Sequence, residues 1–278
     1  MKLAIVYIIT VCLIVSSGTH VLAQDSAYAN PLGMEFVLIK PGSFVSGKFQ
    51  PTYPKPVETA NGGKTSGLYS VREFALAEKL AQQDVMPGFT VTIRSPFYIG
   101  KYEVTQAQWK KVMGSNPSIF QGDKVEDDAD QHPVDNVTWQ DVQGFLKKLN
   151  SIQKGYVYRL PTEFEWEYAA RAGAADDIAW SEIRLAAQIG TRTTNPVGKK
   201  KPNAWGLYDM LGNVWEWVQD FYNAKIFADA APPSSGREHV LKGASFVGDV
   251  KNATYMTHAA GPGNKWDVGF RLVIEVRK

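Results

Sequence analysis

The chain of 278 residues contains a single cysteine, Cys12. Cys12 lies inside the N-terminal apolar run. Once that run is removed, no disulfide, thiolate nucleophile or thiolate metal site can be built. Charge of one sign is also scarce. Thirty lysines and arginines stand against 28 aspartates and glutamates, a formal net charge of +2. The longest basic run is Lys199 to Lys201, too short to track a phosphate backbone, so nucleic acid is not an expected partner. There is no internal repeat, heptad or low-complexity tract. No apolar stretch is long enough for a comfortable membrane span. Histidine is sparse, with four in all.

What remains is ordinary globular composition, 44% hydrophobic and 12% aromatic, which supplies a substantial core. Residues 1–23 read as a secretory signal. Lys2 precedes a short apolar run, and Val21 to Ala23 places small residues for cleavage before Gln24. Val11 is a poor lipobox residue ahead of Cys12. The expectation is a periplasmic or secreted protein with no membrane span after cleavage, a retained anchor being the alternative.

Residues 24–32 read as a linker, and 33–278 as one domain carrying an insertion at 48–90. Met34 to Gly47 alternates around Phe36, Leu38 and Phe44, breaks at Pro41-Gly42, and predicts a β-hairpin. The insertion opens with a Pro/Gly/Thr-rich loop and then carries a helical patch, Val71 to Gln83. Val91 to Val104 predicts a second strand pair. Three helix starts follow with the same chemistry: Thr105 with Gln108, Thr138 with Asp141, and Thr162 with Glu165. In each, a threonine hydroxyl can cap the helix while the side chain three residues on reaches back to the cap's own N–H. The helices should run to about Gly114, Asn150 and Gly173. The acidic stretch from Gly122 to Gln131 is a solvated loop or a second cation site. Residues 174–202 read as a polar connector. Two strand-like runs, His239 to Val247 and Gly269 to Val276, close the chain.

Asn203 to Trp217 (Asn-Ala-Trp-Gly-Leu-Tyr-Asp-Met-Leu-Gly-Asn-Val-Trp-Glu-Trp) suits neither a regular helix nor an alternating strand. Gly212 permits a tight bend. Asp209 and Glu216 flank it, and two acids turned inward with the bend's carbonyls are the hard oxygen ligands calcium prefers. The alternative is a tryptophan-rich core loop whose acids are solvated or paired.

Several blocks, in order, carry a resemblance. They are Gly42 to Phe44, Tyr102 to Thr105, His132 to Val134, Val137 to Trp139, Tyr158 to Gly173, Asn203 to Trp217, Lys242 to Phe246, and Gly269 to Arg271. Together they resemble the formylglycine-generating enzyme (sulfatase-modifying factor) family over roughly residues 33–275. The resemblance implies an α+β fold, one compact domain with a C-type-lectin-like core and much irregular structure. It also implies one structural calcium site, with ligands from the Asp209 and Glu216 side chains and the Gly212 and Val214 carbonyls. The family's other calcium segment falls in 174–202, where no matching pattern is found.

Family members that generate formylglycine hold copper with two cysteines just after a Gly-Gly-Ser-aromatic strand. Aligning Lys242 to Phe246 with that strand puts Gly248 and Ala253 at the cysteine positions, so no copper is expected. Trp215 and Ser245 match residues of the family's oxygen pocket. With Gly248, Ala253 and His258 they are the pocket candidates. His239, His258 and Asp249 are a candidate facial iron set. Two functions fit. One is a divergent exported tailoring protein resembling the PvdO-type pyoverdine-maturation proteins, which lack the cysteine pair and are linked to oxidation of a siderophore chromophore; Trp205, Trp215, Phe246 and Trp266 would stack on the chromophore. The other is a non-catalytic module that binds a small molecule or protein, or a structural component of an exported assembly.

Overall fold

A five-stranded antiparallel sheet divides the interior of the protein into two cores. The computed structural model describes residues 26–47, 88–176, 178, 180–249, 253–261 and 265–275. The expected signal segment, nearly all of the insertion and its helical patch lie outside the described residues.

The sheet has the order β1-β2-β5-β11-β6, from β1 (Ala27–Ala29), β2 (Glu35–Ile39), β5 (Phe97–Gly100), β6 (Tyr158–Arg159) and β11 (Val273–Glu275). The inner strands β5 and β11 are buried on both faces, and their successive side chains serve opposite cores, as a period of two requires. Tyr98, Leu272 and Ile274 enter one core. Phe97, Ile99 and Val273 enter the other. The first core is closed by α1 (Gln106–Met113) and α2 (Trp139–Ile152), through Trp109, Val112, Phe145 and Leu149. The second is closed by α3 (Glu163–Arg171) and α4 (Trp180–Ala186), through Trp166, Ala169, Ala170 and Ile183. The chain is therefore α+β, with helices on both faces of an antiparallel sheet.

All three threonine caps form with reciprocal bonds: Thr105 with Gln108, Thr138 with Asp141, and Thr162 with Glu165. Each box satisfies two N–H groups that a helix start leaves without partners. The helix ends are less regular than expected. Gly114 is left-handed after α1, α2 runs on to Ile152, and Ala172 (φ 47°) rather than Gly173 makes the first left-handed turn after α3.

Strand pairing differs from the sequence expectation in three places. β2 does not pair with β3 (Gly42–Ser46), and β5 does not pair with β4 (Phe89–Ile93). Instead β2 pairs with β5 and β3 with β4, in registers Ile39↔Phe97 and Gly42↔Ile93. One long ribbon thus leaves the main sheet where Pro41 and Pro96 interrupt its arms. The stretch read as linker carries β1, paired with β2 along Ala27↔Val37 and Ala29↔Glu35. The supposed polar connector contains α4 and buries Ile183 and Ala187.

A second sheet, β10-β7-β8-β9, holds the segments with functional interest. It consists of β7 (Trp215–Phe221), β8 (His239–Lys242), β9 (His258–Ala260) and β10 (Val268–Gly269). A four-residue helix, α5 (Ile226–Asp229), lies between β7 and β8.

Candidate functional site

The loop before β7 is laced to three other segments. Asn203 accepts from the Trp205 and Leu207 amides, and its side-chain amide donates to the Ala169 and Ala170 carbonyls at the end of α3. Asp209 and Asn213 both adopt left-handed backbone (φ 52° and 56°), a conformation that short polar side chains tolerate. Gly212 (φ 87°) could carry no side chain, because a Cβ there would stand 2.1 Å from the Gln188 carbonyl oxygen. The Gly212 amide donates to the Gly243 carbonyl, Asn213 to Gln188, and Phe246 to Asn213.

Charge gathers beneath this loop. Both Glu216 oxygens accept from Arg271, at 2.6 and 2.7 Å, and Trp166 Nε1 donates to Glu216 at 2.7 Å. Arg271 is fully buried and spends its other donors on the Gly100, Tyr208 and Asp209 carbonyls. Glu103 joins the cluster, accepting from the Val214 amide and from the Asn213 side chain. Asp209 accepts from the Gly198 amide at 2.6 Å. Burial, together with the Asp209 and Glu216 carboxylates, raises Glu103 well above its usual range. Burial pushes Asp209 up to about 6, against the pull of the Gly198 N–H. Three carboxyl groups therefore face one guanidinium in the interior.

That imbalance is the observation on which a calcium ion can be judged. Asp209 and Glu216 lie within electrostatic reach of each other, and Gly212 and Val214 fall between them in sequence. The donor types and the excess negative charge fit a hard divalent cation. Glu216 is already held by Arg271 and Trp166, so a cation would have to share it. Glu103 was missed from sequence. It sits in the Tyr102 to Thr105 block 110 residues from Asn213, and nothing local marks it as a partner of the loop.

The segment expected to align with the family's cysteine pair is built differently. Ser245 donates to Asp267 at 2.7 Å, and both are buried. The Gly248 amide turns back onto the Ser245 carbonyl at 2.7 Å. A Cβ at Gly248 would lie 2.8 Å from that oxygen, so the backbone has closed where a cysteine would need room. Ala253 is fully buried in the α3-side core with Trp166 and Tyr168, whereas Trp215 packs against the opposite core. The pocket candidates therefore divide between separate environments. Of the aromatics expected to stack on a ligand, Phe246 is unavailable. It is fully buried, edge-on to Phe120 and Trp266. Nearby, burial pushes Asp135 up to about 6, with Asp267 adding to the rise and the Ile119 and Phe120 amides opposing it.

The histidines do not converge. His239 is stacked between Trp139 (3.8 Å) and Phe221 (4.4 Å). His258 faces Glu163 at 3.1 Å, beside Tyr222 and Phe227. The sheet register places His258 opposite Lys242, not opposite His239. Among the described residues no group of three His, Cys, Asp or Glu side chains could hold a metal, which sets aside the iron set with Asp249. In the acidic stretch, Asp130 pairs with Lys110, Asp127 meets His132, and Asp128 accepts from the Asp130 amide. That is a paired and solvated loop.

Comparison with known proteins agrees with the blocks quoted above. Residues 24–276 match the family model of the sulfatase-modifying factor enzyme 1-like domain. The chain is 32% identical to the chaperone protein LppX of Paenibacillus barcinonensis over 241 residues, 64% of this chain and 80% of that one. It is 29% identical to the formylglycine-generating enzyme of Streptomyces coelicolor over 177 residues, 55% of this chain and 51% of the enzyme, so it spans about half the enzyme's length. PvdO from Pseudomonas aeruginosa superposes with a TM-score of 0.67 at 22% identity, over 91% of this chain and all of that one.

Proposed function

The chain belongs to the sulfatase-modifying factor enzyme 1-like family, and from that premise we propose that it is an exported binding protein that keeps the family scaffold without its copper oxidation. The observation that carries this reading is the Ser245 to Ala253 segment. The resemblance aligns Gly248 and Ala253 with the family's two cysteines, the backbone at Gly248 is closed on Ser245, and Ala253 is core. A copper-dependent thiol oxidation has no ligands here. The relative named a chaperone supports a role in which the scaffold recognises a partner rather than oxidises one. A structural calcium ion belongs to the same proposal. Asp209, Glu216 and the Gly212 and Val214 carbonyls would hold it, and its role would be to neutralise the buried carboxylates and fix the loop. No helix among the described residues is long and apolar enough to cross a membrane.

A second reading is favoured by the likeness to PvdO, that of a periplasmic tailoring protein acting on a siderophore-type chromophore. Trp205, Trp215 and Trp266, all half-buried, are the aromatics left to stack on it. One experiment separates these from a true formylglycine generator. The purified chain is incubated with a cysteine-containing peptide, copper and dioxygen, and aldehyde formation and oxygen uptake are followed. Neither is expected. Aldehyde product above the protein-free control would overturn the proposal.

A further inference from the structure

β1 is the end strand of the five-stranded sheet. Among the described residues it has one neighbour, β2. The register shows which of its backbone groups are used. Leu38 donates to the Ser26 carbonyl and Asn30 donates to the Met34 carbonyl, both at 3.0 Å. Tyr28 lies opposite Phe36 between those two pairs. In an antiparallel ladder hydrogen-bonded and non-bonded pairs alternate. Ser26, Tyr28 and Asn30 therefore turn their N–H and C=O groups toward β2, and Ala27 and Ala29 turn theirs away from the sheet. An edge of this kind is a ready template for another strand, and proteins usually blunt it with lysine, proline or a covering element. Here it is exposed and carries two alanines.

The same edge borders a groove of about 820 Å³. Ala27 and Ala29 share a sheet face with Val37 and Glu35, and their small side chains leave the groove open. Its far wall is Tyr168 and Trp205, edge-to-face at 5.0 Å. A neighbouring hollow of about 270 Å³ shares the Tyr168 ring and continues past Phe44 toward Arg171. Two lysines line the groove, Lys40 and Lys101. Lys101 is paired with Glu35 at 3.0 Å, whereas the exposed Lys40 has no ion-pair partner among the described residues. The groove thus carries one uncompensated positive charge beside an apolar, aromatic floor.

We infer that this edge and groove are a docking site for an extended peptide segment of a partner protein, added as a sixth strand beside β1. Its main chain bonds to Ala27 and Ala29. Alternate apolar side chains enter the groove against Val37, Tyr168 and Trp205, and an acidic group meets Lys40. Strand addition supplies affinity through main-chain bonds and selectivity through alternate side chains. The inference deepens the binding reading by naming the partner's chemistry, and the two fail separately. Absence of copper chemistry would stand even if no peptide bound.

The test uses the chain from Gln24 onward and a panel of blocked heptapeptides. Each alternates threonine with valine, leucine or phenylalanine and ends in glutamate. A twin of each is N-methylated at alternate amides. Binding is followed by amide chemical shifts of the protein. Members of the panel should shift the Ala27 and Ala29 amides, and N-methylation should weaken binding about tenfold, as loss of one or two main-chain bonds implies. Ala27→Pro removes only an outward-facing donor and should weaken binding similarly while the protein's fold is kept. Lys40→Glu should weaken binding of these glutamate-ended peptides. Equal binding of the N-methylated twins would overturn the inference, as would no shift at either amide up to about 1 mM peptide. Binding of a planar aromatic carboxylate such as indole-3-acetate at Trp205, with no peptide bound, would also overturn it.

Discussion

The loop from Asp209 to Glu216 and the segment from Ser245 to Ala253 lie side by side, joined by the Gly212–Gly243 and Phe246–Asn213 bonds, yet they have diverged in opposite senses. The first is dense with buried charge, left-handed backbone and long-range bonds. The second is a closed turn at Gly248 and a core alanine at 253. A buried charge cluster cannot be dismantled one residue at a time, because each deletion strands a charge. A glycine turn at 248 and a core alanine at 253 carry no charge, so no such interlock holds them.

The sharpest way to break the comparison is Glu216→Ala. It would remove the one carboxylate hydrogen-bonded to the buried Arg271, and should cost about 3–5 kcal/mol, read as the shift in urea midpoint. It should also abolish any stabilisation by calcium, which adds to stability only through binding to the folded state. A loss below 1 kcal/mol would show that the loop is not held by this pair. Restoring the thiols with Gly248→Cys and Ala253→Cys should cost about 2–4 kcal/mol, through the close approach to the Ser245 carbonyl and overpacking of the α3-side core. It should still give no copper site. Tight copper retention by that variant would mean the segment has kept the family geometry.

Protons sharpen the same contrast. Asp209 in the first region and Asp135 beside the second are both pushed up to about 6 by burial. Their folded values lie above the unfolded one of about 4, so between those values the folded state holds protons the unfolded chain has released. Stability should therefore fall as pH rises from about 4 to 6, each group contributing on the order of 2–3 kcal/mol. Urea midpoints from pH 4 to 7 in chelator should show the slope, and Asp135→Asn should remove the Asp135 share and leave that of Asp209. The smallest effect concerns Ala244, which is buried and left-handed (φ 63°) where the family strand has glycine. Ala244→Gly should raise stability by about 0.5 kcal/mol, relief of backbone strain exceeding the added freedom of the unfolded chain. A fall in melting temperature would contradict that.

Legibility from sequence followed range. The three capping boxes were readable because Thr105, Thr138 and Thr162 each find their partner three residues away. Asp209 and Glu216 were readable as a pair of acids about a glycine bend. Arg271 as the partner of Glu216, 55 residues on, and Glu103 as the third acid were not, since no local pattern encodes a contact across the sheet. The alternation of β2 and β3 was visible, but alternation names a face, not a neighbour, so the ribbon was read as two hairpins. β1 escaped because Ala27, Tyr28 and Ala29 are too few, and too weakly β-forming, to stand out from a linker.

The claim at the centre of this account is that the scaffold has outlived its copper chemistry. The most direct measurement is an anaerobic competition titration of copper(I) between the purified chain from Gln24 onward and a high-affinity chelator, with the Streptomyces enzyme as positive control. The account predicts that this chain retains no copper at chelator concentrations where the enzyme holds its ion. Retention of one equivalent would contradict it.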